Sequence, residues 1–162
     1  MLHFMPAVAD DELFLYELYA ETRRNEFHAL GWDAAQLNTF LRMQFDAQRR
    51  SYRAKYADLK KSIIYQNGER IGQISQAVSE DAIVLVDIII SHLYRNQGVG
   101  TKLLLQLQET ARQQGLGVRL HVLETNPAQR LYDRLGFLVT GEHSPYVSME
   151  WNESSYIDSP VN

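Results

Sequence analysis

The sequence predicts an α/β (α+β) domain: a mixed, mostly antiparallel central sheet with helices on both faces. Three features predict it. The first third carries apolar residues at helical spacing in two long stretches. The middle then switches to β-branched and aromatic residues on either side of an Asn67-Gly68 dipeptide. After that come a strand, a helix and another strand, and such a crossover implies one parallel pair inside the sheet.

Each element has its own signal. "LHFMPA" is short and apolar and reads as an edge strand. "ADDELFLYELYAETRRNEF" places Leu13, Leu15/Tyr16 and Leu18/Tyr19 at amphipathic spacing, with Asp10 as its N-cap, and Gly31 interrupts the pattern. "DAAQLNTFLRMQFDAQRRSYRAKY" reads as a second helix, with Leu37, Phe40, Leu41, Gln44/Phe45 and Gln48 along one stripe. "SIIYQNGERIGQI" is a hairpin, since Asn-Gly between β-branched runs is the strongest short-range hairpin signal. "AIVLVDIII" is near-continuous and β-branched, which predicts a central strand covered on both faces. "GVGTKLLLQLQETARQQG" is a helix turning Val99, Leu103, Leu104, Leu107 and Ala111 inward, and Gly115 suits its C′ position. "VRLHVL" is a strand. "NPAQRLYDRLG" is a short helix with Pro127 in its first turn and Gly136 as its stop. "FLVTGE" and "YVSMEW" are the closing strands.

The bulk numbers bound the function. A chain of 162 residues is long enough for one domain with a real core, taken here as 1–151, followed by a loose polar tail at 152–162. A net charge of −4 with no basic block argues against a nucleic-acid partner. The absence of cysteine excludes disulfides, thiolate metal sites and cysteine nucleophiles. The five histidines have no metal-ligand spacing, so no metal is expected. The first residues lack a basic start and carry early acids, and no apolar run spans a bilayer, so the expectation is a cytoplasmic protein with no membrane partner. "RRSYRAKY" mixes arginines with tyrosines, but one such run on an acidic chain reads as a solvated helix face.

The chemistry-bearing stretch is "YRNQGVGTKLL". Glycines at 98 and 100 after a buried strand let the backbone approach a ligand, and the free N–H groups of a helix start favour an anion such as a diphosphate. Arg95 adds a full positive charge beside them. Neither common phosphate loop fits: Thr101-Lys102 reverses the Walker order, and Leu103 occupies the third glycine position of the dinucleotide pattern. A plain strand-to-helix turn remains the competing reading of these residues alone.

"DIIISHLYRNQGVGTKLL", followed about a helix later by "VRLHVLETNPAQRLYDRLGF", closely resembles the GNAT superfamily of acyl-CoA-dependent N-acetyltransferases. The opening "AVADDELFLYELYAETR" is similar to that family's first strand and helix. The resemblance implies an acyltransferase moving an acetyl group from acetyl-CoA to a primary amine by direct attack in a ternary complex. The acceptor would be a small-molecule or peptide amine, and a homodimer is common among such relatives. It also implies positions. Asn96, Gln97, Gly98, Val99, Gly100 and Thr101 match the backbone cradle of the coenzyme A diphosphate, with Arg95 heading the motif. Ile88, Ile89 and Ile90 match the strand whose main chain holds the pantetheine arm, and an amide there would meet the oxyanion. The thioester would lie between that strand and the Val118 strand. Tyr132 falls where the family's leaving-group acid lies. Asn126 matches an asparagine that contacts the cofactor or a water, although it stands six residues before Tyr132, one fewer than in many relatives.

The proton acceptor is open at this level. His121 lies where some members carry a glutamate base, and a histidine bonded to a strand neighbour is the alternative. Asn126, or Thr125, could equally be a helix N-cap. Asp87 breaks an apolar strand and so needs a function, as a substrate-binding carboxylate, or a partner, such as an arginine, while Glu21 and Glu26 could line the acceptor mouth or simply face solvent. Two rival functions stay in play: a non-catalytic acyl-CoA-binding or regulatory module on the same fold, and a transferase of a longer acyl group.

Overall fold

A computed structural model describes residues 2–153 of the chain. Seven strands form one sheet: β1 Leu2–Pro6, β2 Lys60–Gln66, β3 Glu69–Val78, β4 Ala82–Ile90, β5 Gly117–Leu123, β6 Leu138–His143 and β7 Tyr146–Trp151. Four helices accompany them: α1 Glu12–Phe27, α2 Ala34–Lys55, α3 Val99–Gln113 and α4 Gln129–Arg134. The strand order is β1-β2-β3-β4-β5-β7-β6. The β1–β2, β5–β7 and β6–β7 pairs are antiparallel, while β4 and β5 run parallel from Ala82↔Gly117 to Leu85↔Leu120. The expected order of elements, the edge position of β1 and the single parallel crossover are all present.

The chain forms two compact units. One comprises the chain up to Ser75 together with Asp87–Arg95; the other comprises Gln76–Val86 and the chain from Asn96 on. Strands β3 and β4 each run through both.

In the first unit, Leu15, Tyr16 and Tyr19 of α1 pack with Leu41 and Phe45 of α2 and Ile63 of β2. The Tyr19 and Phe45 rings meet at 5.4 Å, a tilted contact worth about 0.5–1.5 kcal/mol beyond its buried area. Asp33 caps α2 by accepting from the Gln36 N–H at 2.8 Å, while the Gln36 side chain accepts from the Asp33 N–H, a reciprocal capping box. Of the stripe predicted for α2, Leu41 and Phe45 are buried, while Leu37, Phe40, Gln44 and Gln48 are half-buried. The hairpin between β2 and β3 turns at Asn67 and Gly68, both left-handed with φ of 52° and 79°, as a two-residue type I′ turn requires.

In the second unit, Val99, Leu103, Leu104, Leu107 and Ala111 of α3 are buried, as expected. They share this core with Val118, Leu120 and Val122 of β5 and with Phe137, Met149 and Trp151. Helix α3 ends with paired bonds from the Gly115 N–H to Arg112 and from the Leu116 N–H to Ala111, a Schellman closure. Gln108 donates to the Leu135 carbonyl at 2.8 Å and ties α3 to the turn before β6.

Four expectations need correction. Asp10 does not cap α1: a short 3₁₀ turn at Ala9–Asp11 precedes the helix, and it is the Asp11 carboxylate that accepts the Val8 N–H at 2.9 Å. Leu13 is 69% exposed, so the buried face of α1 is carried by the rest of the predicted stripe, Leu15, Tyr16, Leu18 and Tyr19. Pro127 lies before α4, in the turn that leads into it. Strand β4 is not covered throughout: Ala82, Ile83 and Leu85 are buried, but Val86 to Ile90 are only half-buried. Apolar content alone predicted full cover, yet the β5 ladder ends at Leu85. Of the tail expected to be loose, residues 154–162 lie outside the described residues; Glu153 meets Arg112 at 3.3 Å.

Candidate active site

The glycine turn builds an open helix start in the second unit. Asn96 and Gly98 take positive φ values of 61° and 77°, and the turn delivers the chain into α3 with Gly98 as the N-cap. A glycine has no side chain to cap with, and the first intrahelical bond is Lys102 N–H to the Gly98 carbonyl at 3.1 Å. The N–H groups of Val99, Gly100 and Thr101 are thus the orphan donors of the first turn, at the end that carries about +0.5 charge. Val99 is buried and anchors the turn, whereas Asn96, Gln97 and Gly98 are exposed. A Cβ placed on Gly98 would meet nothing within 4 Å, so this residue is required for its backbone conformation. A Cβ on Gly100 would have Leu131 as its nearest neighbour, at 3.5 Å. The absence of a side chain there keeps the amides accessible and serves no packing need.

In the first unit, β4 ends at Ile88, Ile89 and Ile90, and the segment after it is pinned from three sides. The Arg95 Nε donates to the Ile90 carbonyl at 2.9 Å. Glu21 accepts the His92 N–H at 2.9 Å, lies 2.8 Å from His92 Nδ1, and stands 3.6 Å from the Arg95 guanidinium. Ser91 donates its N–H to Ile71 at 2.8 Å, and the Tyr94 hydroxyl donates to Glu69. Glu21, considered from sequence as part of an acceptor mouth, is thus engaged in holding the loop that carries Arg95. Glu26 is exposed near the end of α1.

Asp87 found its partner. Gln73 on β3 donates to its carboxylate at 3.0 Å, and Ser75 donates to the Gln73 carbonyl oxygen at 3.0 Å. Burial pushes the Asp87 carboxyl above the usual range, opposed by the Gln73 bond and by the charges of Lys61 and Arg23. Lys61 is lowered, first by burial and then by the nearby Arg49 and Arg53 charges.

The remaining candidates lie in the second unit. Tyr132 is half-buried on α4 with its ring 5.6 Å from that of Phe137. His121 on β5 is exposed, faces Ser148 across the β7 ladder, and its Nδ1 lies 2.8 Å from the Ser148 hydroxyl. The alternative reading of a strand histidine bonded to its neighbour is what the side chain does. Asn126 accepts the Ala128 N–H on its side-chain oxygen at 2.9 Å, so its capping role at the approach to α4 is also realised.

Sequence reasoning missed Gly72, Gln73, Ser75 and Lys61. A Cβ on Gly72 would fall 2.4 Å from the Ile89 carbonyl oxygen, so β3 approaches β4 there as only glycine permits. An isolated glycine inside a strand pattern was the available signal for it. Gln73 and Lys61 gave none, since the partners that give each its place, Asp87 among them, are remote in sequence. Among the described residues no group of three or more His, Asp or Glu could hold a metal ion, and no helix is long and apolar enough to cross a membrane.

Comparison with known proteins places the chain in a family. Residues 13–137 match the model of the acetyltransferase (GNAT) family. No curated protein is matched. Among solved structures, the chain is similar to the PaiA N-acetyltransferase of Thermoplasma acidophilum in complex with coenzyme A: 17% identity, 94% of this chain and 99% of that one covered, TM-score 0.69. It is similar to an acetyltransferase of Thermus thermophilus, at 16% identity, 93% and 96% coverage and TM-score 0.66. A GNAT-family acetyltransferase of Listeria monocytogenes aligns at 16% identity, 93% and 94% coverage and TM-score 0.63. At these identities the likeness is one of fold.

Proposed function

Because the chain belongs to the GNAT acetyltransferase family, and is on that ground an acyltransferase served by an acyl-CoA, we propose that it moves the acetyl group of acetyl-CoA to a primary amine by direct attack in a ternary complex. The observation that carries the proposal is the uncapped start of α3, where orphan amides follow a left-handed Gly98 and a side-chain-free Gly100. In this reading the amides of Asn96, Gln97, Gly98, Val99, Gly100 and Thr101 bind the diphosphate. The main chain of Ile88, Ile89 and Ile90 binds the pantetheine arm as an added strand would be bound, and an amide of that segment donates to the developing oxyanion. Arg95, oriented by Ile90 and Glu21, supports the phosphate end.

Tyr132 gives its proton to the departing thiolate, a task suited to a phenol that stays protonated at neutral pH. His121 accepts the proton of the attacking amine, its ring held by Ser148. Asn126 caps the approach to α4 and so sets the helix that bears Tyr132. As the new C–N bond forms, the C–S bond breaks, and the proton lost by the amine balances the one gained by sulfur. With no cysteine in the chain, a Cys-linked acetyl-enzyme plays no part. The acceptor class is a small-molecule or peptide amine, the setting is cytoplasmic, and residues 1–151 act as one domain.

The test is free-thiol release from acetyl-CoA across an amine library, with mass spectrometry of the product. The proposal expects thiol and an acceptor heavier by one acetyl group in equal amounts. Binding of coenzyme A without thiol release from any amine would make the chain a non-catalytic module. Preference for propionyl- or succinyl-CoA would make it a transferase of a longer acyl group.

A further inference from the structure

The "RRSYRAKY" stretch, which the transferase reading leaves unused, contributes Arg49, Tyr52 and Arg53 to a cavity of about 440 Å³ in the first unit. This is within the size range of small-ligand sites. Leu15 and Leu59 give the cavity an apolar wall, and Tyr52 contributes to the lining. Three cations also line it, Arg49, Arg53 and Lys61, against one carboxylate, Glu12.

That carboxylate is already spent. Glu12 takes hydrogen bonds from Arg49 at 2.9 Å and from Arg42 at 2.5 Å, and these hold it below its usual range. Asp46 stands 3.8 Å from Arg49 and 3.7 Å from Arg42. Arg53 and Lys61 form no ion pair among the described residues. Lys61 faces Asp87 on its other side, but burial drives that carboxyl toward its neutral form, and Gln73 occupies one of its oxygens. The cavity therefore gathers more positive than negative charge, its one carboxylate being committed to Arg42 and Arg49, on a chain whose net charge is −4. Crowding like charges around a desolvated lysine is unfavourable, and an anion would relieve it.

We propose that this cavity binds a small organic anion, a carboxylate or phosphate carried on an apolar body, with Arg49, Arg53 and Lys61 holding the charged group and Leu15 and Leu59 the body. Inorganic anions alone would leave the apolar wall unfilled. The site does not depend on the transferase reading, since it is complete without coenzyme A.

The experiment titrates the full chain with benzoate, phenyl phosphate and neutral benzamide at constant ionic strength, by calorimetry and thermal shift. At least one of the two anions should saturate and raise the melting temperature, and benzamide should not. The stronger of the two identifies the headgroup. Arg53→Gln and Lys61→Gln should each weaken that anion by tenfold or more while coenzyme A affinity stays unchanged. Arg53 is exposed, so its variant folds even if the Lys61 variant does not. Failure of both anions to saturate, or equal binding by wild type and Arg53→Gln, overturns the proposal. Loss of coenzyme A binding with anion binding intact would instead count only against the transferase reading.

Discussion

Gly100→Ala separates a ligand-binding turn from a mere connection between a strand and a helix. The Cβ it adds would contact only Leu131, at 3.5 Å, an ordinary van der Waals distance. Gly100 sits inside the first turn of α3, where alanine is preferred over glycine by roughly 0.5–1 kcal/mol. For a chain of this size such a gain raises the melting temperature by about 1–3 °C. On structural grounds the variant should therefore be as stable as the parent or more so. If the amides around residue 100 hold a diphosphate, however, the new methyl group stands over them. Losing one charge-assisted hydrogen bond costs about 1.5–3 kcal/mol, which at 1.4 kcal/mol per decade is a ten- to hundredfold weaker coenzyme A complex. Calorimetric titration, run beside thermal melting of the same preparation, reads both numbers. A variant that melts at or above the parent temperature and still binds coenzyme A at parental affinity would show that these amides do not hold the diphosphate.

Three further outcomes follow from the geometry. Tyr132→Phe should lower turnover by about a hundredfold or more while leaving coenzyme A affinity intact, the signature of a lost proton donor; steady-state kinetics with a calorimetric control reads the difference. Asp87→Asn should become more stabilising relative to the parent as pH rises above the ordinary carboxylate range. The folded-state pKa of Asp87 is raised above its unfolded value, so its favourable contribution is present at low pH and lost as pH climbs through the folded pKa; urea midpoints that run parallel through that rise in pH would contradict the desolvation. Gly72→Ala should destabilise by about 2 kcal/mol or more, because the added carbon lies 2.4 Å from a backbone oxygen that cannot move without opening the β3–β4 pairing; urea unfolding measures it.

Much of the fold was legible because its signals are local. The Asn67-Gly68 turn, the inward face of α3 and its Gly115 closure all depend on residues within one or two turns of each other. The glycine turn was legible for the same reason: an uncapped helix start is written in the sequence of the cap itself. What stayed hidden depends on partners distant along the chain. Asp87 announced only that it needed company; that the company is Gln73, with Lys61 nearby, follows from the register of β2, β3 and β4. Glu21 looked like a surface charge on α1 until the fold brought His92 and Arg95 to it. Asp10 read as the cap of α1, but the 3₁₀ turn at Ala9–Asp11 takes it out of that position. The second half of β4 is as apolar as the first, so composition could not show that its residues stay half-buried.

The assignment of the amides that meet the cofactor is tested residue by residue by backbone ¹⁵N–¹H shifts followed through a coenzyme A titration. The largest changes should fall on Asn96 to Thr101 and on Ile88 to Ile90. Saturable binding that leaves those amides in place and moves others would contradict it.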